Sequence, residues 1–392
     1  MPYNSRTLFA LRNDSEITRS TELTIHDRKS KSYLIRCTDP RYYPTLEEHN
    51  IAISPCTDPI IHDLSELILA DCSNQWKEGK SIEERWKFDK SRCARSNEAK
   101  FQRTVMMDIL DRHKLNENTD YDCEAPWHSR RFPCRDCSAE QCRISMPTPD
   151  LAVGFRSNSL LMDDEVSVAW TRLKSLEGHI FPEGTTLHQK DRAFHFFSME
   201  VKGKRGTLDN KTAQAQNLNT ASQALYNIYR CMKEANELNL FFEEIRVFSA
   251  VATVEGFWLR VHRAIKVNER QHNNKDYPIG FEFDEVIELG KSYTRKRVSG
   301  IVANVLLKYG VEKLHPIMKR IVKILLDRAS VEGTQLSQEN VRSVPTDTSS
   351  LAALNITPAS QVSTNRKRDL HDGMDASSEP RKRRGRGQKI LG

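Results

Sequence analysis

Two short apolar stretches, fifty residues apart, constrain this chain more than any other feature. Pro149-Asp150 opens the first, TPDLAVGF, and the second, FHFFSMEVKGK, carries Glu200-Val201-Lys202 near its end. Both predict strands, over 150–156 and 193–202. Side chains alternate faces along a strand, so residues i and i+2 point the same way. Glu200 and Lys202 therefore share a face while Val201 points into the core. Asp150 at the start of one strand and Glu200 on the other could hold a hard divalent cation such as Mg2+ through oxygen ligands. Lys202 would sit beside it as a point charge, orienting a water or steadying a phosphate. Glu-x-Lys also occurs on solvated strand faces, and Pro-Asp often opens turns. It is the two together, in this order and on apolar strands, that point to a site.

The rest of the pattern surrounds these strands with helices. IIHDLSELILADCSNQW places Ile60, Leu64, Leu67, Ile68 and Trp76 at helical spacing. A second helix is predicted from about Asn97 to His113, with Phe101, Val105, Ile109 and Leu110 on one face and Asn97 or Ser96 as N-cap. A loop rich in Cys, Arg and Pro follows, from about Asn116 to Met146. The insertion 157–190 separates the two strands. A strong helix is expected over about 210–237, then two strands joined at Glu255-Gly256, and a further extended piece in YPIGFEFDEVIEL. A long helix over about 299–328 closes the fold, with Pro316 starting a second segment or kinking it. Three regions result: 1–58, mostly irregular; 59–329, the folded domain; and 330–392, a disordered basic tail. No internal repeat is visible.

Charge is distributed unevenly. The 392 residues carry a formal net charge of +7. From Arg366 onward there are nine Lys or Arg against four Asp or Glu, so residues 1–365 retain only two of those seven charges. A nucleic-acid surface in the folded part must then be a local basic patch. Mean hydropathy is −0.63, polar for a globular chain. No run of eighteen apolar residues exists, so no transmembrane helix and no membrane partner are expected. MPYNSRTLFALRNDSE lacks the apolar centre of a signal peptide. Nine cysteines scattered over this length fit a reducing intracellular compartment better than a secreted disulfide scaffold.

Four blocks in order, PTPDLAVGF, FFSMEVKG, NKTAQAQNLNTASQAL and RVFSAVATVEGFWLRVH, resemble a fungal PD-(D/E)XK nuclease-like family, largely a domain-of-unknown-function group. The resemblance spans about residues 60–328. It implies an α/β (α+β) fold with a restriction-endonuclease-like core: a mixed central sheet flanked by helices, with disordered N- and C-terminal tails. It implies that Asp150, Glu200 and the backbone carbonyl of Val201 hold Mg2+ or Mn2+, with Lys202 helping to activate water. Glu98 matches an extra acid on the helix before the core, although an acid near a helix start also simply complements the dipole. Gln216 matches a polar residue that reaches the site from the following helix, and Gln223 lies on the same face; both could equally be solvated glutamines. The gap from Asp150 to Glu200 is longer than the family pattern, so an inserted segment must loop out.

Three further constellations stand outside that motif. Cys134-x-x-Cys137-x4-Cys142, with Cys123 or His128 as fourth donor, has the makings of a zinc site; free thiols in a reducing compartment are the alternative. Gly203-Lys204-Arg205-Gly206, beside the acids, could touch phosphates or be a solvated turn. Arg366, Lys367 and Arg368, then Arg381, Lys382, Arg383 and Arg384, form two basic clusters resembling a bipartite nuclear import signal. A nuclear import receptor, a nuclear location and added non-specific affinity for nucleic acid follow from them. No Walker loop, HExxH or nucleophile elbow is present. The leading expectation is a nuclear, Mg2+-dependent phosphodiester hydrolase acting on DNA. The alternatives are a catalytically inactive nuclease-like module serving as a chromatin, nucleic-acid or protein platform, and a zinc-stabilised DNA-binding protein.

Overall fold

The structure, a computed structural model, describes residues 35–70, 80–94, 98–111, 115–127, 144–161, 192–203, 206–267 and 279–342. Its helices are α1 (Tyr42–Glu48), α2 (Ile61–Leu69), α3 (Lys80–Cys93), α4 (Glu98–Phe101), α5 (Met107–Leu110), α6 (Gly206–Glu234), α7 (Leu238–Glu244), α8 (Arg295–Asn304) and α9 (His315–Arg342). π-Helical runs, Gln102–Met106 and Val305–Leu314, join α4 to α5 and α8 to α9. The strands are β1 (Thr119–Asp122), β2 (Leu151–Arg156), β3 (Arg192–Lys202), β4 (Val247–Thr253), β5 (Phe257–Lys266) and β6 (Ile279–Leu289). Contacts divide the chain into two units, Met1–Glu339 and Asn340–Gly392, and only the last residues of α9 are described in the second.

The strands form one mixed sheet in the order β1-β2-β3-β4-β5-β6. Neighbours are antiparallel except β3 and β4, which run parallel. A parallel neighbour needs a crossover, and α6 supplies it. The expected class, a mixed sheet with flanking helices, is what the chain adopts. β3 and β4 are buried along nearly their whole length, which is why they read as continuous apolar runs rather than alternating ones. Ala215, Leu218, Ala221, Leu225, Ile228 and Met232 of α6 are all buried in the core, and α6 packs on β3, β4 and β5.

Sequence and structure part company in four places. Residues 35–58, expected to be mostly irregular with short docked pieces, fold onto the domain. Ile35, Tyr42, Leu46 and Ile51 are buried there. The Asn50 carbonyl accepts from Phe281 N–H (2.8 Å), and the Ala52 and Cys56 amides donate to the carbonyls of Phe281 and Phe283 (2.8 Å each). This segment therefore satisfies the outer edge of β6, an exposed template if left bare. Four widely spaced apolar residues among prolines carry no period, so the fold recruits them through the sheet edge. α3 and β1 were also not anticipated. In α3, Lys90 lies inward beside Trp86, and its ammonium donates to the carbonyls of Lys291 (2.8 Å) and Tyr293 (3.1 Å). β1 is TDYD, held by ion pairs from Arg192 of β3 to Asp120 (3.4 Å) and to Asp122. The helix at 60–76 is shorter than expected, ending at Leu69.

Pro316 opens a second helical segment, one of the two outcomes expected for it. It sits at the second residue of α9, directly after ten π-helical residues. Their wider turns absorb the missing N–H and the ring. Within that run Gly310 lies against Phe196. A Cβ there would stand 2.4 Å from Cε2 and Cζ of the ring. Gly310→Ala should therefore cost about 1–3 kcal/mol by overpacking, against at most about 1 kcal/mol gained from helix propensity. The urea midpoint should fall; an unchanged midpoint would mean the Phe196 ring swings aside freely.

Candidate functional site

The acids of the two strands meet where β2 begins and β3 ends. β2 starts at Leu151, which pairs with Met199, so Glu200, Val201 and Lys202 extend past the start of β2. Asp150 occupies that gap. Its Oδ2 accepts the Val201 N–H at 2.7 Å, standing in for a missing backbone partner. A strand residue's N–H and C=O point to the same neighbour, so the Val201 carbonyl faces the Asp150 side as well. Val201's own side chain is fully buried. Strand alternation gives Glu200 and Lys202 one face, as the pattern predicted.

α4 and its π continuation close the cluster from one side. Glu98 Oε1 accepts from Lys202 Nζ at 3.0 Å. One helical turn later Gln102 Nε2 donates to Asp150 Oδ1 at 2.9 Å. Glu98 is thus where the sequence placed it. Gln102 was not singled out, although its spacing of four from Glu98 on a helix was the available signal.

The cluster is buried and poorly neutralised. Asp150 is 8% and Glu200 1% exposed. Glu200 Oε2 lies 3.7 Å from Lys202 Nζ, beyond hydrogen-bond range, and has no hydrogen-bond partner. Burial pushes the Glu200 carboxyl well above its ordinary range, and repulsion from Asp150 pushes it further, with Lys202 opposing. Burial likewise raises Asp150, against the pull of Lys202 and of the Val201 amide. For Lys202 burial works against the charge, but Glu200, Asp150 and Glu98 outweigh it and the ammonium is held above its usual value. One lysine thus serves three carboxylates, and a further cation would relieve the two buried ones.

The N-terminal segment is within the reach of the cluster's charge. Burial raises the Cys37 thiol, with Lys202 pulling it down and Glu200 pushing it up. Tyr42 is buried, and its phenol is pushed up first by that burial, with Cys37 and Glu200 nearby and Asn219 and Ser145 in hydrogen-bonding reach. Neither residue had a motif to announce it.

The other expected residues fare differently. Gln216 lies on α6 with a buried Oε1 that has no hydrogen-bond partner; no hydrogen bond or ion pair described ties it to Asp150, Glu200 or Lys202. Gln223 is buried and donates to Asn227 Oδ1 at 3.1 Å, a packing role within α6. Cys123 lies at the surface, its thiol raised by partial desolvation and by Asp122, Glu124 and Asp150. Cys134, Cys137, Cys142 and His128 lie outside the described residues, as do Lys204, Arg205 and the tail clusters from Arg366 to Arg384. Among the described residues no three His, Cys, Asp or Glu side chains converge as a ready-made metal cage. The donors at hand are two carboxylates and a backbone carbonyl. That set suits Mg2+, which keeps several waters and demands few protein ligands, and the orphaned Glu200 oxygen fits it. Also among the described residues, no helix is long and apolar enough to cross a membrane.

Residues 58–321 match the model of a family described as a domain of unknown function (DUF7924). No curated protein matches the chain.

Proposed function

We propose that this chain, which belongs to the DUF7924 family, is a metal-dependent phosphodiester hydrolase acting on DNA, with a PD-(D/E)XK site on a restriction-endonuclease-like core. The observation that carries the reading is the buried Glu200 oxygen without a donor, beside a second buried carboxylate and a lysine. Its ion-pair partner, Lys202 Nζ at 3.7 Å, stands too far to donate a hydrogen bond to it, which leaves that oxygen available to a cation. Topology lends support: a helix bearing Glu98, three antiparallel strands, a crossover helix, then a parallel strand.

Asp150, Glu200 and the Val201 carbonyl would hold the cation. Mg2+ or Mn2+ there would supply positive charge to the phosphoryl oxygens and acidify a bound water. The chain's own groups do the positioning. Gln102 and the Val201 amide fix both oxygens of Asp150. Glu98 holds the Lys202 ammonium at 3.0 Å, keeping its charge beside the acids. From there Lys202 can orient the attacking water or steady the phosphate. The same Glu98–Lys202 pairing would also persist in a nuclease-like module without turnover, a chromatin, nucleic-acid or protein platform, which is the second reading. The basic clusters of the tail belong to the proposal as the address to the nucleus and the contact with an import receptor. Zinc on Cys123, Cys134, Cys137 and Cys142 is a separate proposal for the Cys-rich segment.

The deciding experiment incubates the purified chain with labelled single- and double-stranded DNA and RNA, in Mg2+, in Mn2+ and in chelator. Cleavage should require the cation and vanish in Asp150→Ala. Lys202→Met should lower the rate about 10²–10³-fold, the usual loss of one preorganised charge or donor. Cleavage that survives chelator or Asp150→Ala would come from elsewhere. Absence of cleavage, with cation binding intact in a thermal shift, would favour the platform.

A further inference from the structure

We infer that the solvent-facing stripe of α3, Arg85–Phe88–Arg92, is a stacking platform for single-stranded nucleic acid that feeds the acid cluster. The inference rests on the hydrolase reading for what the platform serves, though not for whether it binds.

Helix α3 has two unlike faces. Trp86, Lys90 and Cys93 are buried against the domain. Ser81, Arg85, Phe88 and Arg92 are exposed and follow one another at spacings of four, three and four, which align them along a single side. Among the described residues Phe88 is the only exposed large hydrophobic side chain, at 56%. The Arg92 guanidinium stands 5.1 Å from its ring centroid, and Arg85 lies one turn away on the other side. A lone exposed phenylalanine is ordinary. A ring with one arginine against it and a second exposed one turn away on the same stripe can take an unstacked base on its π face and phosphates on its flanks.

Charge around the stripe favours a polyanion. Lys80 and Lys87 are also exposed on α3, as is Glu84, while its other two carboxylates, Glu83 and Asp89, are half-buried. The start of α8 lies alongside, since Lys296 N–H donates to Glu83 Oε2 at 3.4 Å. It adds the exposed Lys296 and Arg297. In a domain that is nearly neutral overall, this is the kind of local patch that a nucleic-acid surface requires.

Position links the stripe to the acids. At the C-terminal end of α3, Cys93 Sγ is 3.6 Å from Thr104 Oγ1. Thr104 belongs to the π turn whose Gln102 holds Asp150. Arg92 is therefore one residue from the contact that joins α3 to the site, and Phe88 is one turn further out. The C-terminal end of the stripe is thus the end nearer the site. Duplex bases keep their faces covered by their neighbours, so stacking on Phe88 selects single strands.

The test is anisotropy of a labelled oligothymidylate and of a labelled duplex with the full-length chain in chelator, so that binding is read without turnover. Phe88→Ala should weaken single-strand binding about tenfold and leave duplex binding unchanged, while Phe88→Trp keeps the parent affinity. Arg85→Gln with Arg92→Gln should reduce the slope of log K against log salt by roughly 1.4, about 0.7 for each lost phosphate contact on a single strand. Melting temperatures of all variants should equal the parent's, because the stripe is solvated. Unchanged single-strand affinity in Phe88→Ala overturns the platform. So does an equal loss on the duplex, or a change of oligomeric state by light scattering, which would make the ring a protein contact. Failure of metal-dependent cleavage leaves these binding differences standing, and so separates the two readings.

Discussion

Glu200→Gln should make the cation-free protein more stable and at the same time abolish its response to divalent cations. In the wild-type chain a carboxylate with 1% exposure keeps one oxygen without a donor. An unsatisfied buried group costs about 1–3 kcal/mol, more when charged, and the amide removes the charge while preserving the shape. Sign matters here. The folded-state pKa of Glu200 is raised above its ordinary 4.5, first by burial and then by Asp150. The folded protein therefore holds a proton that the unfolded chain has already lost. Stability contributed by that proton is fully present below about 4.5 and is lost as pH rises through the folded-state value. Wild type in chelator should thus lose stability with rising pH across that window, and Glu200→Gln should lose less. Added Mg2+ should raise the wild-type melting temperature in the upper part of the window, where both acids are charged, and leave Glu200→Gln unmoved. Thermal melting against pH, with and without Mg2+, reads all of this. A variant less stable than wild type in chelator would mean the carboxylate already has its partner in the folded protein.

The second large effect concerns the N-terminal segment. The family match begins at residue 58, an inviting place to cut. The folded unit begins earlier. Ile35, Tyr42, Leu46 and Ile51 bury their side chains in the common core, each contributing about 1.5–3 kcal/mol. Their sum is on the order of the whole net stability of a domain, about 5–15 kcal/mol. A chain starting at 58 should melt far below the full chain or aggregate, having lost the cover of β6 as well. Circular dichroism melts of the two chains decide it. A shortened chain that melts within a few degrees of the parent would show that the segment is merely draped on the surface.

Legibility in the sequence followed how each element earns its burial. β2, β3, β4 and β5 lie inside the sheet and carry dense apolar runs, so their strands and the junction at Glu255-Gly256 could be read directly. Asp150, Glu200 and Lys202 could be read with them, because strand alternation alone puts Glu200 and Lys202 on one face. β1 could not, since TDYD has no apolar period and is fixed by Arg192 from two strands away. α3 was hidden for a related reason. Its buried face carries a lysine stem and ammonium, held by two carbonyls, where an apolar side chain would have marked the helical period. Gln102 was legible in principle, four residues after Glu98. Cys37 and Tyr42 were not, because their role comes from long-range contact rather than local pattern.

The hydrogen bond from the Val201 amide to Asp150 has a meaning for how the chain assembles. It acts as a final rung placed just beyond the last β2–β3 pair, Leu151 with Met199. A one-residue slip of β2 along β3 would turn its side chains to the opposite face and carry Asp150 off the Val201 amide. Rung and cation pocket would vanish in the same error. If the acids take up a cation as proposed, its uptake during refolding would be a proofreading signal: molecules that bind would be the ones whose central strands have found their register.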